Sequence, residues 1–301
     1  MKNITPKKNI ILLNYEEEKL LKKYIEEYNE LYQKILLLSP NDFIQNLSKR
    51  VEIVLKEKIN GFSASNKSKV ENFINLIFLK KMSKKDYSKS GSDVILTPEK
   101  YSKVLIWLPG VGDVPESYKE LFISDAVVPN DIKVIILCPP VKPFTLSNNK
   151  SITNWFDVYK PGFKDENYYN FSDAVTSSNR IIKIIKNESK KLNNDFSKIY
   201  IGGFSQGACM ALYMGLATNF KIGGVIACSG ILFHKMEINE DNKDIKIFIG
   251  HGTDDKVIGY NIAKNTYDRI LGFNNVIFKT YEHMDHTIDD IEFDEIKKFL
   301  S

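Results

Sequence analysis

Cysteine is scarce in this 301-residue chain: Cys138, Cys209 and Cys228 are its three cysteines. That odd number suits no disulfide framework, and no CxxC or Cys/His spacing is present to hold zinc. They read as small buried hydrophobes. No apolar run approaches the ~18 residues that would span a bilayer, and the opening MKNITPKKNI has neither the apolar stretch nor the cleavage site of a secretory leader. The sequence therefore predicts a cytoplasmic protein. It also lacks GxGxxG and G-K-[ST] loops, so its one short GVGD segment is not read as a phosphate cradle, and no metal or cofactor is expected. Histidine is scarce too, with His234, His251, His283 and His286 alone. What is present, 43% hydrophobic and 27% charged residues, is the composition of a globular protein with a sizeable core.

Charge is spread unevenly along the chain. Residues 1–90 carry a net charge of +7 and residues 91–301 a net −3, which suggests two modules. In the first, apolar residues recur at helical spacing through Leu21, Tyr24, Tyr28, Leu31, Ile35 and Leu38. Ser39-Pro40 then supplies an N-cap and a first helical position for another helix. A further apolar run, Val70 to Leu79, precedes KKMSKKDYSKSGSD, whose polar, breaker-rich composition reads as a linker. The expected division is a basic helical extension over 1–90 and a second domain over 91–301. The extension reads as a packing element, or alternatively as a peripheral membrane contact drawn to anionic lipid. No nucleic-acid partner is expected.

Beyond Asp93 the pattern changes to short β-branched runs, KVLIWL, KVIILC, KIYIGG, GGVIAC, KIFIG and VIFKTY. Helical stretches at Asp173–Leu192, Ala208–Ala217 and Asn261–Leu271 alternate with them. Continuous apolar strands of this kind are buried on both faces, which predicts an α/β fold with a mainly parallel sheet and helices on either side. Functional groups in such sheets gather at the carboxyl ends of the strands.

One of those strand ends is YIGGFSQGACM, where Ser205 sits in a G-x-S-x-G pattern with Gly203 and Gly207. The pattern alone is weak, since on the order of one random chain in ten of this length would contain it. Here, though, it follows a strand and opens a helix, the context of a nucleophile elbow. A serine hydroxyl needs a base to take its proton and a carboxylate to orient that base. In the chain order Ser, acid, His, the acid is Asp255 or Asp254 of GHGTDDKV, and the base is His286 or His283 after VIFKTY. His251 reads as a hydrogen-bonded loop residue and His234 as a surface one. The PGVGD loop after KVLIWL offers a backbone N–H, that of Val111, to join the N–H of Gln206 in an oxyanion hole. Each such donor typically carries ~3 kcal/mol of transition-state stabilisation.

These motifs, taken in order, resemble the acyl-protein thioesterase and lysophospholipase family of α/β-hydrolases. The resemblance covers about Lys103 to Leu300. It runs through LPGVGD, CPPVKPFTL, NWFD, GFSQGA, HGTDDKV and YEHMDH, and it implies the α/β-hydrolase fold. Among the open alternatives it selects Ser205, Asp255 and His286 as catalytic triad. It further implies that Phe144, Leu146 and Trp155 belong to an apolar acyl-binding site, and that the substrates are acylated proteins or lipid esters. The implied reaction is hydrolysis of long-chain acyl thioesters on protein cysteines, with lysophospholipase or carboxylesterase action on oxyesters as the alternative. A binding protein that keeps the fold without catalysis is a third reading, which an intact triad opposes. The chain departs from the family at Pro109, where histidine is usual, and in the histidine loop, where His283 or Asp285 stands in place of glycine.

Overall fold

The computed structural model describes Lys23, residues 85–123 and residues 127–301. The chain divides into two compact units, Met1–Met82 and Ser83–Ser301. The helices expected in the first 80 residues lie outside the described residues, as does Met82.

Among the described residues, eight strands form one sheet in the order β1-β2-β4-β3-β7-β8-β9-β10. The six β-branched runs supply β3 (Lys103–Leu108), β4 (Ile132–Ile136), β7 (Ile199–Phe204), β8 (Gly224–Cys228), β9 (Lys246–Gly252) and β10 (Val276–Tyr281). These six run parallel to one another. β2 (Asp93–Pro98) pairs antiparallel with β4, and β1 (Lys85–Ser90) pairs antiparallel with β2. The fold is the α/β-hydrolase fold.

Successive side chains of a strand face opposite ways, and β3 sorts the core accordingly. Val104, Ile106 and Leu108 join one buried cluster with Ile181 of α2 (Phe171–Lys191), Leu212 of α3 (Gln206–Ala217) and Tyr267 of α4 (Tyr260–Tyr267). Leu105 and Trp107 join the other cluster with Phe122 of α1 (Glu116–Ile123) and Ile296 of α5 (Asp290–Leu300). The sheet is thus covered on both faces, and each fully buried aliphatic side chain contributes ~1.5–3 kcal/mol. Helix α2 shows why its sequence is helical: Asn170 caps it by accepting from the Asp173 amide at 3.2 Å, and Ala174, Ile181 and Ile185 form the buried stripe.

The linker reading of residues 80–93 is corrected in part, because Lys85–Ser90 is the edge strand β1. Its register with β2 runs from Lys85 opposite Pro98 to Ser90 opposite Asp93. Five of its six residues are exposed. A backbone ladder holds it, so no hydrophobic alternation marks it, and its charged side chains suit the position it takes at the end of the sheet among the described residues. A second short ladder, β5 (Val141–Phe144) with β6 (Lys150–Thr153), forms a hairpin outside the main sheet.

Candidate active site

Strand β7 ends at Phe204, and the chain turns at once into α3. Ser205 makes that turn at φ 55° and ψ −119°, a backbone conformation strained for a residue with a side chain. Two close approaches permit it. A Cβ on Gly207 would lie 1.8 Å from the Leu108 carbonyl oxygen, and one on Gly203 would lie 2.4 Å from the Gly207 carbonyl oxygen. Glycine is therefore required on both sides. The Ser205 amide donates to the Cys228 carbonyl at 2.9 Å, which fixes the elbow to the end of β8.

Three residues from the ends of three strands meet there. Ser205 Oγ lies 2.9 Å from His286 Nε2, and His286 Nδ1 lies 2.7 Å from Asp255 Oδ2. The His286 ring packs on Phe204, ring centres 4.8 Å apart. Asp255 Oδ1 accepts the amides of Val257 and Ile258 at 2.8 and 2.9 Å. Burial alone would push the Asp255 carboxyl up. The hydrogen bonds from His251 and His286, the charge on His286 and the Ile258 amide outweigh it and hold the group below the usual carboxylate range. The serine faces a base that a charged carboxylate orients, and this arrangement can transfer a proton from Oγ.

The other members of the alternatives lie apart. His283 is exposed, at φ 60°, with its Nδ1 3.7 Å from Asp254 Oδ2. Asp285 accepts the backbone amide of His286 at 2.9 Å. His234 is not a free surface residue, since its ring and its amide both meet the Tyr169 hydroxyl, at 3.0 and 2.8 Å.

The loop after β3 carries Val111 beside the elbow. A Cβ on Gly110 would stand 3.4 Å from that of Ser205. Among the described residues neither the Val111 amide nor the Gln206 amide is engaged by a protein acceptor. Asp113, which the sequence reading passed over, shapes this loop. Its Oδ2 accepts the Gly110 amide at 3.2 Å and the Tyr118 hydroxyl at 2.7 Å. Its signal was the aspartate directly after G-x-G. The Gly112 amide donates to the Thr153 carbonyl at 2.7 Å, tying the loop to β6.

The expected acyl-binding set divides by exposure. Trp155 and Phe144 are 0% and 2% exposed and belong to the core, so neither presents surface to a substrate. Their apolar character reflects core packing, which hydrophobicity alone cannot separate from a groove. Leu146, 37% exposed on the β5–β6 hairpin, does present surface. Among the described residues no cluster of three or more His, Cys, Asp or Glu side chains is disposed to hold a metal ion.

Comparison with known proteins identifies the family. Residues 90–301 match the model of the phospholipase/carboxylesterase family of α/β-hydrolases. The chain belongs to this family. Acyl-protein thioesterase 1 of Candida albicans is 33% identical over 208 residues, which is 65% of this chain and 90% of the relative. Acyl-protein thioesterase 1 homolog 1 of Dictyostelium discoideum is 30% identical over 67% of this chain and 90% of its own length. Among solved structures, acyl-protein thioesterase 2 of Zea mays superposes with a TM-score of 0.59 at 23% identity, covering 70% of this chain and 98% of its own. A Bacillus cereus carboxylesterase does so at 0.54 and 15% identity, covering 75% and 97%. At those identities the structural likeness supports the fold alone. Like other members of its family, the chain is a serine hydrolase by class.

Proposed function

We propose that the protein is an acyl-protein thioesterase that removes long acyl chains from protein cysteines. The observation that carries this reading is the hydrogen-bonded chain from Ser205 through His286 to Asp255 at a strained elbow. The similarity to acyl-protein thioesterases over two-thirds of the chain supports the choice of substrate.

In this reading His286 Nε2 takes the Ser205 proton as Oγ attacks the thioester carbonyl. The oxygen of the tetrahedral adduct accepts from the Val111 and Gln206 amides, donors held in place before the charge develops. Asp255 stabilises the imidazolium and keeps Nε2 aimed at Oγ. Collapse of the adduct breaks the carbon–sulfur bond, and the cysteine sulfur leaves with the proton from His286. Water activated by the same base then attacks the acyl-serine, releasing the fatty acid and restoring Ser205.

Leu146 is the member of the expected acyl-binding set with surface to offer an apolar chain. Each buried methylene contributes ~0.8 kcal/mol, so kcat/KM should climb with acyl length. A series of acyl thioesters from acetyl to palmitoyl tests this: a rise toward the long chains is expected, and a maximum at acetyl overturns it. A second reading, hydrolysis of carboxylic or lysophospholipid oxyesters, has the family description in its favour. Matched thioester and oxyester substrates separate the two. The cytoplasmic setting and the membrane contact of the basic 1–90 segment belong to the same proposal, the second resting on the segment's net +7 charge.

A further inference from the structure

We infer that Trp155 is a positioning residue that clasps the two halves of the oxyanion hole together. The inference rests on the active-site reading above. Trp155 stands in NWFD, between β6 and α2, and makes two hydrogen bonds toward the site from one buried residue. Its indole Nε1–H donates to the Pro109 carbonyl at 2.8 Å, two residues before Val111. Its backbone N–H donates to Gln206 Oε1 at 3.0 Å, and Gln206 Nε2 donates in turn to the Phe156 carbonyl at 2.8 Å. The side-chain amide of Gln206 is thus satisfied at both ends by the backbone of residues 155 and 156.

The clasp is itself anchored. The Trp155 carbonyl accepts from Ser177 Oγ of α2 at 2.6 Å and from Lys142 Nζ of β5 at 3.2 Å. Val111 and Gln206 sit on separate elements, the loop after β3 and the first turn of α3, and Trp155 touches the immediate support of each. The loop from Pro109 to Asp113 is held in register by the groups that bond its carbonyls, amides and carboxylate. Trp155 binds one end at Pro109, Asp113 turns back onto Gly110, and Thr153 binds Gly112.

The chain's other tryptophan supplies the contrast. Trp107 is as fully buried, but its Nε1 has no hydrogen-bond partner among the described residues. An unpartnered indole N–H is thus tolerated in this core, and the directed bond of Trp155 marks a role beyond filling space. Catalysis depends on donors placed where the oxyanion will form, and a displacement of about 1 Å can cost ~10²-fold.

The test replaces Trp155 with the isostere benzothienylalanine, in which sulfur stands where the indole N–H was, and alongside it with phenylalanine. Trp107→Phe serves as the packing control. The readouts are kcat and KM per folded site on an acyl thioester, the rate of Ser205 phosphonylation by a fluorophosphonate, and the pH–rate profile. In phosphonylation the Oγ–P bond forms, fluoride leaves, and the phosphoryl oxygen takes the oxyanion position. Loss of the clasp should lower kcat and the phosphonylation rate by ~10–100-fold. KM and the shape of the pH profile should change little, because the triad is untouched, and Trp107→Phe should lower stability without changing the rate per site. Normal phosphonylation and kcat in the folded isostere would overturn the clasp alone. Equal drops in rate for the Trp155 and Trp107 variants would also overturn it, as a packing effect. Labelling that persists in Ser205→Ala would overturn the active-site reading and the clasp with it.

Discussion

His251 Nε2 lies 3.3 Å from Asp255 Oδ2, and neither side chain is exposed to solvent. The same nitrogen meets the Ile258 carbonyl at 2.8 Å, so its N–H is shared between the Asp255 carboxylate and the loop that carries it. This bond is among the causes that hold the Asp255 carboxyl low, against the burial that would raise it. A carboxyl held lower in the fold than in the open chain adds stability above its unfolded value of ~3.9, and that contribution is lost as pH falls toward the folded value. His251→Phe should therefore shrink the drop in melting temperature between pH 7 and pH 3. It should also lower kcat by ~10-fold through a loosened Asp255. An unchanged acid-induced drop, measured by differential scanning fluorimetry, would remove His251 from the network.

The histidine loop offers two bases by sequence, and the geometry separates them sharply. His286→Ala should lose activity by thousands-fold, about as much as Ser205→Ala, because members of a triad act as a unit. His283→Ala should stay within ~3-fold of the parent, since that side chain is exposed and faces Asp254. Steady-state kinetics on one soluble thioester decides between them. Activity that survives the first substitution and vanishes with the second would move the base to His283.

Glu292 is buried at 0% exposure behind β9, in space left by Gly250, where a Cβ would come within 1.9 Å of its Oε1. Among the described residues neither of its oxygens has a conventional hydrogen-bond partner, and the Cys228 thiol, a weak donor, faces it. Burial, with smaller contributions from Asp289 and Glu295, pushes its carboxyl up to about 8. A folded value above the unfolded ~4.3 means that the folded state holds the extra proton between the two, so stability falls as pH rises from about 4 to about 8. Glu292→Gln should flatten that decline and raise the melting temperature at pH 8. Parallel melting curves for parent and variant across this range would assign the decline to other groups.

The parts of the molecule legible in its sequence are those with a local cause. Strands buried on both faces need unbroken apolar runs, so β3, β4 and β7 to β10 stood out, and the elbow announced itself because Gly203 and Gly207 are sterically obligatory. β1 left no such trace, being an edge held by backbone bonds with polar side chains on both faces. The hydrogen bonds of Trp155 were illegible for a related reason. They reach 46 residues back to Pro109 and 51 forward to Gln206, and no spacing rule encodes partners that meet only when the sheet closes. The choice between Asp254 and Asp255 was likewise open from the residues and was made by resemblance, because both follow the same strand and only the direction of the turn separates them.

The segment before the sheet carries the last prediction. The catalytic motifs lie beyond β1, so the basic residues 1–82 should be separable from the chemistry if they serve localisation. Because β1 begins at Lys85, the cut belongs before Ser83; a cut at Asp93 would strip the sheet of an edge strand. A chain of residues 83–301 should turn over a soluble acyl thioester within a few-fold of the full-length rate. The full-length protein should bind anionic vesicles more tightly than neutral ones, with up to ~1 kcal/mol for each Lys or Arg near the surface. Raising salt should weaken that binding as the Debye length shrinks, to ~8 Å at 0.15 M. Vesicle sedimentation across a salt series measures both arms. Binding that ignores salt or lipid charge would reject the membrane role, and a truncated chain that is insoluble or inactive would show that the first 82 residues complete the hydrolase itself.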